Sequence, residues 1–131
     1  MPQTMTKTTT WFEIPAQDFK RAVSFYETLY DTTFDKTTMG GNPYALFPGS
    51  QDGSSGGAIT EWPGFEPAKP GTGLVLYLYA GDKIDEMLSR VEKAGGRLST
   101  PKTLINDKYG YYSTIIDSEG NRIALHQPGT P

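Results

Sequence analysis

Residues 11–30 read WFEIPAQDFKRAVSFYETLY, and this stretch decides the fold. The segment from Thr8 to Ile14 is β-branched and aromatic and stops at Pro15, which has no N–H to donate to a sheet ladder, so it reads as a strand. Behind it Phe19, Ala22, Val23, Tyr26, Leu29 and Tyr30 recur at spacings of three and four, the period of an amphipathic helix running from Gln17 or Asp18 to Tyr30. Asp18 carries the short acidic side chain that caps free amides at a helix start.

Working outward, the 15 Gly and 10 Pro are grouped between periodic segments, the pattern of short elements and tight turns. Thr32 to Thr38, Tyr44 to Phe47 and Gly57 to Trp62 read as three short strands, separated by GGNP and SQDGSSGG. The Pro-rich PGFEPAKPGTG, residues 63–73, then joins two halves. Leu74 to Tyr79 is strongly β-prone, and Asp82 to Ala94 reads as a second helix with Ile84, Met87, Leu88, Val91 and Ala94 on one face. Asp82 with Asp85 resembles a capping box, and Gly95-Gly96 supplies a left-handed stop. Arg97 to Leu104, Tyr111 to Ile116 and Asn121 to Gln127 complete the strands, the last two joined through Asp117 to Gly120. A shift of 65 lays the second half on the first, so that Phe19 meets Ile84, Ala22 meets Met87, Val23 meets Leu88 and Tyr26 meets Val91. The expected class is α+β: one domain of two tandem βαβββ modules, about 8–62 and about 74–127, with a linker of about 63–73.

Composition narrows the chemistry. With 131 residues the chain is one domain large enough to fold on its own core, and with 0 Cys it has no thiolate metal site, iron–sulfur cluster, disulfide or cysteine nucleophile. The single His, His126, excludes any site that takes two imidazoles from one chain. A formal net charge of −3 without a basic run argues against nucleic acid and anionic lipid as partners. The longest apolar run, Leu74 to Ala80, is far short of the ~18 residues of a membrane span. MPQTMTKTTT lacks the apolar stretch of a secretory signal, which gives the expectation of a cytoplasmic protein. There is no G-x-S-x-G elbow and no phosphate-cradling G-x-x-x-x-G-K-[ST] loop.

The strings WFEIPAQDFKRAVSFYETLY, GGAI, and the run from YLYAGDKIDEMLSRVEKAGG to DSEGNRIALHQ resemble the glyoxalase/bleomycin-resistance/dioxygenase group, the vicinal oxygen chelate superfamily. The likeness spans roughly Thr8 to Gln127. It implies two modules whose sheets curve around a cleft, commonly as a homodimer with clefts near the subunit boundary. DSEGN itself reads as a turn, because Asp117, Ser118 and Asn121 bond to nearby backbone and Gly120 accepts a positive φ.

Metal-dependent members of that group hold a divalent ion with His or Gln, Glu, His and Glu from the first and last strand of each module. By motif alignment those positions fall on Trp11, about Ile59, about Leu76, and Ala124, none of which carries a ligating group. The resemblance therefore implies a cleft that has lost its metal, with no cofactor. One cruder grouping, Glu13, Glu61 and His126, is the remaining metal alternative.

Because side chains alternate along a strand, Glu13 shares a face with Trp11, and Arg122 and His126 share one with Ala124. The expected ligand-binding lining is Trp11, Glu13, Leu76, Leu78, Arg122, Ala124 and His126, with Phe12, Ile14, Ile123 and Leu125 in the core. Such a wall suits a small aromatic or amphipathic molecule, with Trp11 as stacking platform and Glu13, Arg122 or His126 setting orientation. Purely structural roles stand beside these: Trp11 as packing, Glu13 paired with Arg122, and His126 as a satisfied polar group. The function expected is capture or sequestration of a small organic molecule, as in resistance proteins of the group. The alternatives are a diverged lyase or isomerase with a residual metal site, metal-free proton transfer by Glu13 with His126 or Arg122 as electrophile, and a regulatory role. No catalytic residue is assigned.

Overall fold

Strand β1 (Phe12–Pro15) and helix α1 (Phe19–Tyr30) open the computed structural model, which describes residues 9–51, 55–69 and 72–130. Thr8, residues 52–54 of the Gly/Ser loop, and Pro70 and Gly71 of the linker lie outside the described residues. After α1 come β2 (Asp35–Met39), β3 (Asn42–Leu46) and β4 (Gly57–Thr60). The second half repeats the order with β5 (Leu76–Tyr79), α2 (Ile84–Ala94), β6 (Arg97–Asn106), β7 (Gly110–Ile116) and β8 (Arg122–Gln127). Two mixed sheets result, ordered β1-β4-β3-β2 and β5-β8-β7-β6. In each the module's first strand runs parallel to its last, and the other pairings are antiparallel. The two-module architecture is thus as the repeat predicts. Among the described residues no helix is long and apolar enough to cross a membrane.

One face of each sheet packs on the helices. Ile14, Ala45 and Ile59 from the first sheet, Phe47 just after β3, and Leu78, Ile115, Ile123 and Leu125 from the second sheet join the buried faces of α1 and α2 in a single core. Phe47 is its aromatic hub, with ring centroids 5.3 Å from Phe12, 5.3 Å from Tyr26 and 4.9 Å from Phe34. Phe34 turns inward, which holds the start of β2 back to Asp35 rather than Thr32.

The α1 start shows how tightly the modules are joined. Asp18 caps it as expected, accepting from the Arg21 N–H at 3.1 Å. Glu119, from the β7–β8 turn of the other module, accepts from the N–H groups of Gln17 (2.8 Å) and Asp18 (2.7 Å) and from the Arg21 guanidinium (2.7 Å). Glu61 accepts from the Phe19 N–H at 2.8 Å. α1 has no acidic residue in its first turn, so these outside carboxylates complement its positive end. Burial alone pushes Glu119 up, but its donors from Arg21, Asp18 and Ser118 outweigh it and hold the carboxyl below the ordinary glutamate range. DSEGN is a turn, with Asp117 Oδ1 accepting from the N–H groups of Glu119 and Asn121 at 2.9 Å each and Gly120 at φ 95°. Tyr26 O–H donates to Asp117 Oδ2 at 2.6 Å beneath it, and Asn121 Nδ2 donates to the Pro15 carbonyl at 2.9 Å.

α2 starts differently from expectation. Asp82 does not cap it; the preceding residue is Lys83, with no side-chain cap, and Gln127 Oε1 at the end of β8 accepts from the Ile84 N–H at 3.2 Å. The sheet supplies the acceptor that the local sequence suggested Asp82 would. Gly95 ends the helix in the left-handed region, φ 107°, as predicted.

Candidate functional site

The sheet faces turned away from the helices are set by strand phase. On β1, Phe12 and Ile14 pack inward, and Trp11, just before the strand, points with Glu13 to the open side. Glu13 pairs with Ala58 on β4, and Tyr44 on β3 pairs with Thr60, so all four side chains share that open face. Ala58 ends at Cβ, which leaves Tyr44 room to reach across β4. Trp11 Nε1–H donates to Tyr44 Oη at 2.7 Å, and Tyr44 O–H donates to Glu13 Oε2 at 2.7 Å. Burial and the bond to Glu13 both raise the Tyr44 phenol above its ordinary value. Tyr44 escaped the sequence reading because only register across two strands brings it to Glu13.

A cavity of about 590 Å³ opens at the seam between the sheets. Its wall takes Trp11 and Glu13 from the first module and Val75, Leu76 and Arg122 from the second, with Phe65 of the linker. Phe65 is stacked on Trp62, ring centroids 4.9 Å apart. A shallower recess of about 220 Å³ lies beside Glu13, Tyr44, Thr60 and Trp62, so Glu13 borders both.

Four of the seven predicted lining residues, Trp11, Glu13, Leu76 and Arg122, therefore meet at one cavity. The others do not. Leu78 is 4% exposed and belongs to the core, because β5 pairs Leu78 with Leu125 and so presents Tyr77 and Tyr79, 56% and 70% exposed, to the open side. The phase of β5 differs by one residue from the expected one, and Leu76 reaches the cavity because it lies at the seam. Ala124 is 0% exposed, set between Tyr77 of β5 and Thr114 of β7, whose larger side chains stand on the same face. His126 lies on the open face of the second sheet, away from the cavity wall, with Nε2 2.6 Å from the Tyr109 carbonyl and its ring edge-on to Tyr77. The Glu13–Arg122 ion pair does not form: Glu13 is bound by Tyr44, and Arg122 Nε is buried without a hydrogen-bond partner.

The described residues of one chain do not fit a divalent ion. Among the described residues no three His, Asp or Glu side chains gather closely enough to hold one. Glu13, Glu61 and His126 are each engaged elsewhere, with Tyr44, the Phe19 N–H and Tyr109 respectively. The position aligned at about Ile59 also needs correction, since Ile59 is fully buried in the core and the open-face residue is Ala58. Ala58 and Ala124 are repeat partners: each sits on the last strand of its module opposite the first, facing Glu13 and Tyr77. Both modules thus carry a methyl group at the centre of the open face.

Paired βαβββ modules with helices on one face of each sheet and an open face on the other define the glyoxalase-like fold, and this chain has that fold. A glyoxalase/bleomycin resistance protein from Albidiferax ferrireducens T118 superposes with a TM-score of 0.66 at 19% identity, covering 93% of this chain and 98% of its own. A glyoxalase family protein from Bacillus cereus gives 0.66 at 19% identity over 98% and 97%. A single-site mutant of the fosfomycin resistance protein FosX from Listeria monocytogenes, complexed with Mn(II) and 1S,2S-dihydroxypropylphosphonic acid, gives 0.61 at 14% identity over 97% and 93%. No protein-family model matches the sequence, and no curated protein matches it significantly.

Proposed function

We propose that this protein is a metal-independent binder of a small aromatic or amphipathic molecule, held at the seam cavity and sequestered there, and that it works as a cytoplasmic homodimer. The observation that carries this reading is the cavity wall: the Trp11 indole and the Val75 and Leu76 side chains give an apolar surface, and Glu13 and Arg122 give it polar orientation. Its volume of about 590 Å³ falls in the range of small-molecule pockets, about 300–1,000 Å³. Two of the structural relatives are resistance proteins by name, which agrees with a site that takes a small organic molecule. The exposed Tyr77 and Tyr79 support a partner surface on the second sheet.

Metal analysis of the purified protein, with thermal-shift titration of aromatic ligands before and after chelator, tests the reading. Unchanged ligand-induced stabilisation after chelation is expected, and a stoichiometric divalent ion whose removal abolishes binding would sink it. Proton transfer by Glu13 is the enzymatic alternative, favoured by one feature: Tyr44 fixes one carboxylate oxygen at the cavity edge. Under that alternative Glu13→Gln removes a turnover while binding persists. Under the binding reading there is no turnover to lose.

A further inference from the structure

Among the described residues the Arg122 side chain forms no ion pair, and its Nε has no hydrogen-bond partner. The ion pairs of the described residues are Arg21–Glu119, Lys36–Glu27, Lys83–Glu86 and Lys102–Asp85. Arg122 is half-buried at the start of β8, and its Nε is closed off from solvent with no acceptor. A guanidinium is charged at every physiological pH, and leaving one of its donors buried and unpaired is costly. Evolution of a stable scaffold alone would favour an apolar residue or an ion pair there. Two other charged side chains border the same space. Glu13 is held by Tyr44 and makes no ion pair with Arg122, and Glu66 is exposed on the linker. Water at the terminal nitrogens satisfies donors but does not balance the charge. A planar carboxylate in the cavity does balance it, accepting side by side from the terminal N–H groups of the guanidinium.

Resting on the reading of the seam cavity as a ligand site, we infer that its ligand is an organic monocarboxylate, with the carboxylate on Arg122 and a flat apolar body against Trp11, Val75 and Leu76. The two glutamates on the wall oppose a second negative charge, which is why a monoanion fits the site better than a dianion.

The test uses the full chain and calorimetric titration with 2-naphthylacetate and its neutral amide, 2-naphthylacetamide. Acid binding tighter than amide binding by at least about tenfold is expected, in line with a charge-assisted hydrogen-bond pair. Arg122→Met should erase that difference while the amide still binds, and Arg122→Lys should restore part of it. Raising salt should weaken the wild-type protein's preference for the acid, a readout that needs no variant to fold. Equal affinity for acid and amide, or a preference that survives Arg122→Met, overturns the carboxylate assignment and leaves the cavity a ligand site. Failure of both molecules to bind overturns the assignment and the ligand-site reading together.

Discussion

Glu119 is a single side chain that joins two modules. Its carboxylate is fully buried and receives two backbone N–H groups of the α1 start together with Arg21, so its charge is matched by the helix end and by the guanidinium. Because its native pKa is depressed, its stabilisation is present in full above the ordinary value of 4.5 and is lost as pH falls through the native value. Glu119→Gln should cost about 2 kcal/mol near neutrality, and in urea unfolding the gap from wild type should close as pH falls below that range. A gap independent of pH would show that the charge is not what stabilises the α1 start. Asp117 has the opposite sign. Burial raises it despite its bonds to Tyr26 and Asn121, so its charged form is disfavoured and its own effect eases on acidification. Tyr26→Phe removes a 2.6 Å donor from that buried carboxylate and should cost about 1–3 kcal/mol, read from the shift in urea midpoint at unchanged slope.

Strand elements place the site through their phase. β1 and β5 are edge strands of their sheets, and each runs parallel to the module's last strand, so their open-side residues fall beside Ala58 and Ala124. The GGAI string acquires a packing reason at this scale. A Cβ on Gly57 would lie 2.5 Å from the Phe12 ring, so glycine there lets β1 and β4 pair with the aromatic ring laid across them. Gly57→Ala should destabilise the protein by about 1–3 kcal/mol through overpacking and should also displace Trp11 and Glu13. Thermal unfolding measures the first effect and Trp fluorescence the second; an alanine variant as stable as wild type would show that Phe12 can move aside. The hydrogen-bonded series Trp11–Tyr44–Glu13 is also a property of elements, since it spans β1 and β3 with β4 between them. Tyr44→Phe should leave the fold intact and weaken ligand binding several-fold by freeing Trp11 and Glu13 to adopt other rotamers, which calorimetry on the same naphthyl probes would detect.

At the scale of the whole molecule, the helices hold the two sheets together through one core while the opposite faces stay open. Tyr77 and Tyr112 meet above Ala124 with ring centroids 6.5 Å apart, and Tyr79 is exposed beside them. An aromatic surface of this kind on an open sheet face suits self-association. For the proposed homodimer, Tyr77→Lys combined with Tyr79→Lys should shift the sedimentation coefficient from dimer to monomer without loss of helical circular dichroism. A wild-type protein that sediments as a monomer across micromolar concentrations would remove the dimer from the proposal.

The repeat, both helices, the α1 cap, the Gly95 stop and the DSEGN turn could be read in the sequence, because each rests on local periodicity or on a residue with a special backbone preference. Alternation along β1 likewise placed Trp11 and Glu13 on the open side, and alternation along β8 placed Arg122 there. Only the tertiary structure decided the rest. Alternation does not set the phase of β5, because LYLY is apolar at every position, and pairing with Leu125 chooses Leu78 for the core. Likewise, Glu119 capping a helix about a hundred residues away, Tyr44 reaching Glu13 over an alanine, and Arg122 left without a partner depend on distances between segments far apart in the chain. Those distances are set by how the two sheets pack around the shared helices, which no local pattern encodes.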